Sequence, residues 1–189
     1  MKRNDMFLAL TCILIGFFYR LIPGYPSNFT PVAAMALMGG MYISRKSLAF
    51  LAPIVALYLG DLILNNTINR PFFPEHSGLV LWSNYMYFNL LAMGGIVFLG
   101  IGLSKSKIVS KIISGSLFSS LAFFLITNLG VWLTSAMYPK SLAGLGACFT
   151  AAVPFFQNSL VSNVLFVTLF IGSIEFAKKY MVKGDLAGI

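Results

Sequence analysis

The chain has 189 residues, of which 58% are hydrophobic and only 10% charged, with a formal net charge of +8. Such a composition excludes an ordinary soluble domain and fits one compact membrane-embedded bundle over residues 1–189. The basic residues fall between apolar stretches, so the charge reads as a topological signal and argues against a nucleic-acid partner.

In chain order, the apolar stretches predict six membrane-spanning helices, over residues 6–22, 31–43, 47–64, 80–103, 108–136 and 151–178. The expected fold is all-α and polytopic. A crossing of a ~30 Å hydrocarbon core takes roughly 20 helical residues. The second stretch is too short for that and reads as a half-buried helix sheltered by its neighbours. Lys2-Arg3 ahead of the first stretch imitates a signal peptide. The apolar run nevertheless continues to Tyr19-Arg20 with no small-residue cleavage site, so it reads as a retained helix.

Alternate connections carry very different charge. Lys2, Arg3, Arg45, Lys46, Lys105, Lys107, Lys111, Lys178, Lys179 and Lys183 share one side, against Arg20, Arg70 and Lys140 on the other. That bias puts both termini on the cytoplasmic side, with membrane lipid as the surrounding medium. The inner connections are short turns. The outer ones are longer: residues 20–31 contain Pro23, Pro26 and Pro31, residues 65–78 run from polar to aromatic, and a third begins at Tyr138-Pro139.

Small residues recur at two places. Ala143, Ala147 and Ala151, with Gly144, Cys148 and Ala152 beside them, predict a short extra outer helix over about 142–153 that Pro154 ends or kinks. It would serve either as a packing face or as a lid. Ala33, Ala36 and Gly40 give the second span a small-residue surface, suited to packing within the bundle or against a partner helix.

Polar groups at membrane depth point to one side. Asp61 is an acid inside a predicted span, near its outer end, and a buried carboxylate needs a partner or a wet cavity. Arg20 is the candidate partner, and the pair would act either as a clamp or as part of a ligand site. Asn65 lies one turn beyond Asp61. Asn128 and Trp132 share a face of the fifth helix, and Asn158 follows Phe155-Phe156 in the sixth. These amides fit either interhelical glue or a shared cavity. Together with Asn28 they describe a small-molecule pocket in which Arg20 and Asp61 order the wall, Asn28, Asn128 and Asn158 supply hydrogen bonds, and Phe29 and Trp132 stack on the ligand. A cavity above roughly 300 Å³ would favour capture, and a filled outer half an accessory role.

Trp82, Tyr85 and Tyr87 read as an interfacial aromatic belt. His76 beside Glu75 is too little for a metal site, Cys148 reads as a packed small residue, and no cofactor is expected. With no nucleophile elbow, zinc motif, phosphate loop or paired acids, the sequence does not read as an enzyme. Active transport would then need a separate ATPase or an ion gradient.

The run from Arg20-Leu-Ile-Pro to Pro26-Ser-Asn-Phe-Thr-Pro-Val-Ala-Ala-Met-Ala-Leu resembles a widespread group of small bacterial integral membrane proteins of unassigned function, the DUF6580 type. So do Gly60-Asp-Leu, Thr127-Asn-Leu-Gly-Val-Trp, Tyr138-Pro139 and Ala151-Ala-Val-Pro-Phe-Phe-Gln-Asn. In size, helix number and placement of termini, that group is similar to the substrate-binding S components of energy-coupling factor (ECF) transporters. The resemblance implies capture of a vitamin or trace nutrient from the outer face. It also implies docking, through small residues such as Ala33, Ala36 and Gly40, on a transmembrane coupling subunit with ATPases. No substrate follows from it. The rivals are an accessory membrane protein without ligand and, last, an enzyme on a lipid or quinone with Asp61 as proton acceptor.

Overall fold

The computed structural model describes residues 2–74 and 77–186; Glu75 and His76 lie outside the described residues. The described chain is helical throughout: α1 (Lys2–Arg20), α2 (Val32–Tyr42), α3 (Lys46–Asn66), α4 (Asn84–Leu103), α5 (Ile108–Thr134) and α6 (Leu142–Leu186), with a 3₁₀ turn at Arg70–Phe72. Four helices are long and apolar enough to cross a membrane: α3, α4, α5 and α6 over Leu142–Lys179. The protein therefore has the build of a membrane protein. Side chains such as Phe7, Leu14, Phe98, Ile113, Phe118 and Val161 stand exposed around the bundle, as a lipid-facing belt would.

The short α2 is the axis of the bundle. Every residue from Val32 to Met41 is buried, and all five other helices pack on it. A helix apolar on all faces belongs in the interior. At ~1.5 Å per residue, its 11 residues reach about 17 Å. Being surrounded by protein, α2 need not match the bilayer.

The crossing of α2 and α4 is very close. A Cβ on Gly40 would fall onto Val97 O and within 3.1 Å of Gly100 Cα, while one on Gly100 would fall onto Leu37 O. Small residues allow such an approach. The same fact corrects the docking expectation: Ala36 is 0% and Ala33 9% exposed, and Gly40 is buried against α4. The small-residue surface is spent inside the bundle and offers nothing to a partner.

The separate outer helix is also corrected. Residues 142–153 form the first turns of one continuous α6 that runs 45 residues through Pro154. A proline in a helix interior costs about 3 kcal/mol. The long packing seam with α5 offsets that cost. Part of the seam is polar: Asn163 Nδ2 donates to Ser120 Oγ at 2.8 Å, and the Ser120 hydroxyl donates to Ser116 O at 2.8 Å.

At the end opposite Arg20, Asp5 accepts from the Ser44 and Arg45 N–H groups at 3.2 and 3.1 Å, capping the start of α3 from α1. Asp5→Ala is expected to lower stability by about 1 kcal/mol, read as a lower thermal midpoint in detergent. Nearby, the Tyr42 hydroxyl donates to Glu175 Oε1 at 2.7 Å, flanked by the Lys111 and Lys178 ammonium groups.

Candidate functional site

The bundle opens at the end where α1, α3 and α5 finish. A cavity of about 480 Å³ lies there, with wall residues from all six helices and from the connections between them. Its charged element is built first by sequence. Gly60 has no side chain, and the Arg20 stem lies across it: a Cβ there would come within 2.6 Å of Arg20 Nε and 2.7 Å of Cδ. The guanidinium, held in that slot, donates through Nη2 to Asp61 Oδ1, and both side chains line the cavity. Arg20 Nε and Asp61 Oδ2 are buried without a partner. Gly60→Ala is expected to lever Arg20 off Asp61 and cost about 2 kcal/mol, measured as a drop in thermal midpoint relative to Gly95→Ala, where a Cβ meets nothing within 4 Å.

Of the eight ligand-site residues expected from sequence, Arg20, Asn28, Asp61 and Asn128 line the cavity. Asn128 Nδ2 donates to Phe124 O of its own helix at 2.8 Å, leaving Oδ1 as its uncommitted atom. Asn28 sits at φ 63°, a left-handed conformation that asparagine tolerates better than most residues.

The other four stand one layer back and hold the wall. Asn65 is buried behind it and accepts the Tyr85 hydroxyl at 2.7 Å, which orients the Tyr85 ring in the cavity. Asn158 Nδ2 donates to Ser27 O at 3.0 Å, and the Ser162 hydroxyl donates to Thr30 O at 2.8 Å; together they latch the 21–31 loop to α6. The Phe29 ring meets Phe166 edge-on at 6.0 Å, away from the cavity. Trp132 donates through Nε1 to Pro139 O at 2.9 Å. The Lys140 ammonium donates to Trp132 O and to Ser135 O, completing the end of α5, where a cation is favoured. These contacts fix the turn that lays Met137 and Tyr138 over the cavity.

The lining residues that the sequence does not single out include Asn69 and Asn89, and Tyr138 stands out there only as the start of an outer connection. Asn89 had a signal, since Tyr85, Asn89 and Met93 recur every four residues on α4 and form one face. Tyr85, expected in an interfacial belt, belongs to the cavity, whereas Trp82 and Tyr87 are surface residues with their rings 5.0 Å apart. Cys148 also lines the cavity, its thiol donating to Asn128 O at 3.5 Å. Cys12 and Cys148 are both free. Among the described residues no three His, Cys, Asp or Glu converge on a point that could hold a metal ion.

The linked motifs that build this wall run from Arg20 to Asn158, and a family model, the family of unknown function DUF6580, matches residues 1–183. The chain belongs to the DUF6580 family. No curated protein and no solved structure matches it. Membership spans the whole cavity, so every lining residue lies within the matched region.

Proposed function

We propose that this protein captures a small nutrient of vitamin-like type from the non-cytoplasmic side of a bacterial inner membrane, for uptake energised by a separate ATPase module. The observation that carries the reading is the cavity. At about 480 Å³ it lies within the ~300–1,000 Å³ range of small-molecule sites, and it combines convergent amides with apolar and aromatic walls. Its charged lining residues, Arg20 and Asp61, are paired with each other, and among the described residues the Cys148 thiol donates to a backbone carbonyl and not to a base, which favours binding over chemistry.

The six-helix topology is part of the proposal. With 19 residues at ~1.5 Å each, α1 reaches about 28 Å and can cross despite its charged ends. The α2 axis completes the set within the protein. Lys111 and Lys178 lie at the end away from the cavity and Lys140 beside it, so the positive-inside bias turns the cavity outward. The proposed likeness to ECF S components rests on size, helix number and the proposed cytoplasmic placement of both termini. A coupling subunit would have to engage a face other than the buried α2 stripe.

Native mass spectrometry and an absorbance spectrum of protein gently purified from its own host test the reading. A stoichiometric small molecule is expected, with affinity reduced about tenfold in Asn128→Ala, the effect of one lost hydrogen bond. Bare protein that takes up no member of a vitamin panel would instead leave an accessory membrane protein. The Arg20–Asp61 pair and the Asn163–Ser120 seam would then serve only to hold helices together.

A further inference from the structure

Resting on the capture reading, we propose that the ligand is an uncharged, planar heterocycle with amide-like edges. The wall's charge decides the first term. Among the described lining residues, Arg20 and Asp61 are the only cation and anion, and they are bonded to each other. Of their spare polar atoms, Arg20 Nε lies in the slot over Gly60, and both it and Asp61 Oδ2 are shut away from solvent-sized access, so the pair keeps only Arg20 Nη1 as a donor, which a neutral carbonyl can use. A charged ligand would be stripped of water and find no free counter-charge, a cost of several kcal/mol. An uncharged one meets no such penalty.

The amides decide the second term. Asn28, Asn69, Asn89 and Asn128 reach the cavity from the 21–31 loop, the α3–α4 connection, α4 and α5. The side chains of Asn28, Asn69 and Asn89 form no hydrogen bond among the described residues, and Asn128 keeps its oxygen free. An amide offers donors and an acceptor side by side, so it complements a group doing the same, such as a lactam or carboxamide edge. Ionised groups are matched by donors alone or acceptors alone, which this wall does not assemble.

Phe123, Phe155, Tyr85 and Tyr138 supply the faces, together with Met93. Aromatic rings and a thioether stack on flat rings more favourably than on aliphatic chains. A long apolar tail would leave the four amides without partners.

The test uses purified protein in lipid nanodiscs and probe pairs that share a ring and differ in charge. These are nicotinamide with nicotinate, pyridoxine with pyridoxine 5′-phosphate, and riboflavin with its 5′-phosphate, titrated by calorimetry. Any molecule that co-purifies is extracted and identified. The expected result is that the bound molecule is neutral at pH 7, and that the charged member of its pair binds at least about 100-fold more weakly, a difference of ~2.7 kcal/mol. Asn89→Asp puts a carboxylate into the wall at nearly constant volume. It is expected to weaken the neutral probe at least about tenfold and to favour the 1-methylnicotinamide cation over nicotinamide. Asn89→Leu, which adds no charge, should weaken the neutral probe without that reversal. A charged molecule bound as tightly as its neutral partner, or a charged co-purifying molecule, overturns the inference and leaves capture standing. A protein that arrives bare and binds no probe overturns both.

Discussion

Arg20→Ala is expected to cost about 3–5 kcal/mol of stability, the penalty for stranding one member of a buried ion pair. Asp61 is 3% exposed and its Oδ2 already has no partner. Without Arg20, the second oxygen loses its donor as well. The carboxylate would then be protonated or the upper bundle would open to water, and either change disturbs the cavity wall. Asp61→Ala should be similarly damaging, since it leaves the guanidinium over Gly60 unpaired. The double variant Arg20→Met, Asp61→Leu behaves differently. Apolar replacement of a whole buried pair is often neutral or stabilising, so most of the lost stability should return. Thermal midpoints in detergent of the parent, Arg20→Met, Asp61→Leu and the double variant close a cycle from which the coupling of the pair is read. Ligand binding in the double variant separates clamp from contact: recovered fold with lost binding assigns the pair to the ligand site, while recovery of both makes it a clamp. A single variant as stable as the parent and binding normally would refute both roles.

The helices were legible from apolar length, and the differences lie where a side chain or a proline intervenes. The fourth helix, expected from residue 80, begins at Asn84. Asn66 explains the delay: its amide accepts the Val80 N–H at 2.8 Å and donates to Val80 O at 3.0 Å, holding that residue extended. Pro154 does not end its helix, because propensity is local and the α5 packing that carries α6 past it is not. The stripe of Ala33, Ala36 and Gly40 was visible, but period alone does not say which helix it faces. At the site, the Arg20–Asp61 pair was legible because an acid at membrane depth demands a partner. Asn65, Trp132 and Asn158 were placed at the right height and one layer too far inward. Sequence position fixes depth along a helix, whereas facing depends on where neighbours insert. The Tyr85 hydroxyl occupies the place in front of Asn65, and a ring on another helix cannot be read from the α3 sequence.

Gly40→Val is expected to leave little folded protein, and Gly40→Ala to lose at least about 2–3 kcal/mol, at the upper end for overpacking. The obstacles are backbone atoms. A Cβ at Gly40 would fall onto Val97 O and stand 3.0 Å from Ile101 N, with Gly100 Cα at 3.1 Å. A flexible side chain could swing away, but the α4 carbonyl can retreat only with its helix. Moving α2 in the other direction drives it into α3 and α6, because it is buried on every side. The two helices would have to separate along their crossing. That would strip Leu37 and Val97 of contacts and tilt the Val32–Ala33 turn that forms part of the cavity wall. Ligand affinity should therefore fall with stability in this variant. Gly172→Ala is the control. It lies in α6 with nothing within 4 Å of its Cβ position, so the helix should gain about 0.5–1 kcal/mol. Thermal midpoints of the two alanine variants should thus move in opposite directions. Equal shifts would mean that α2 and α4 do not cross at van der Waals contact, and the cavity wall would then lack the fixed axis on which its shape depends.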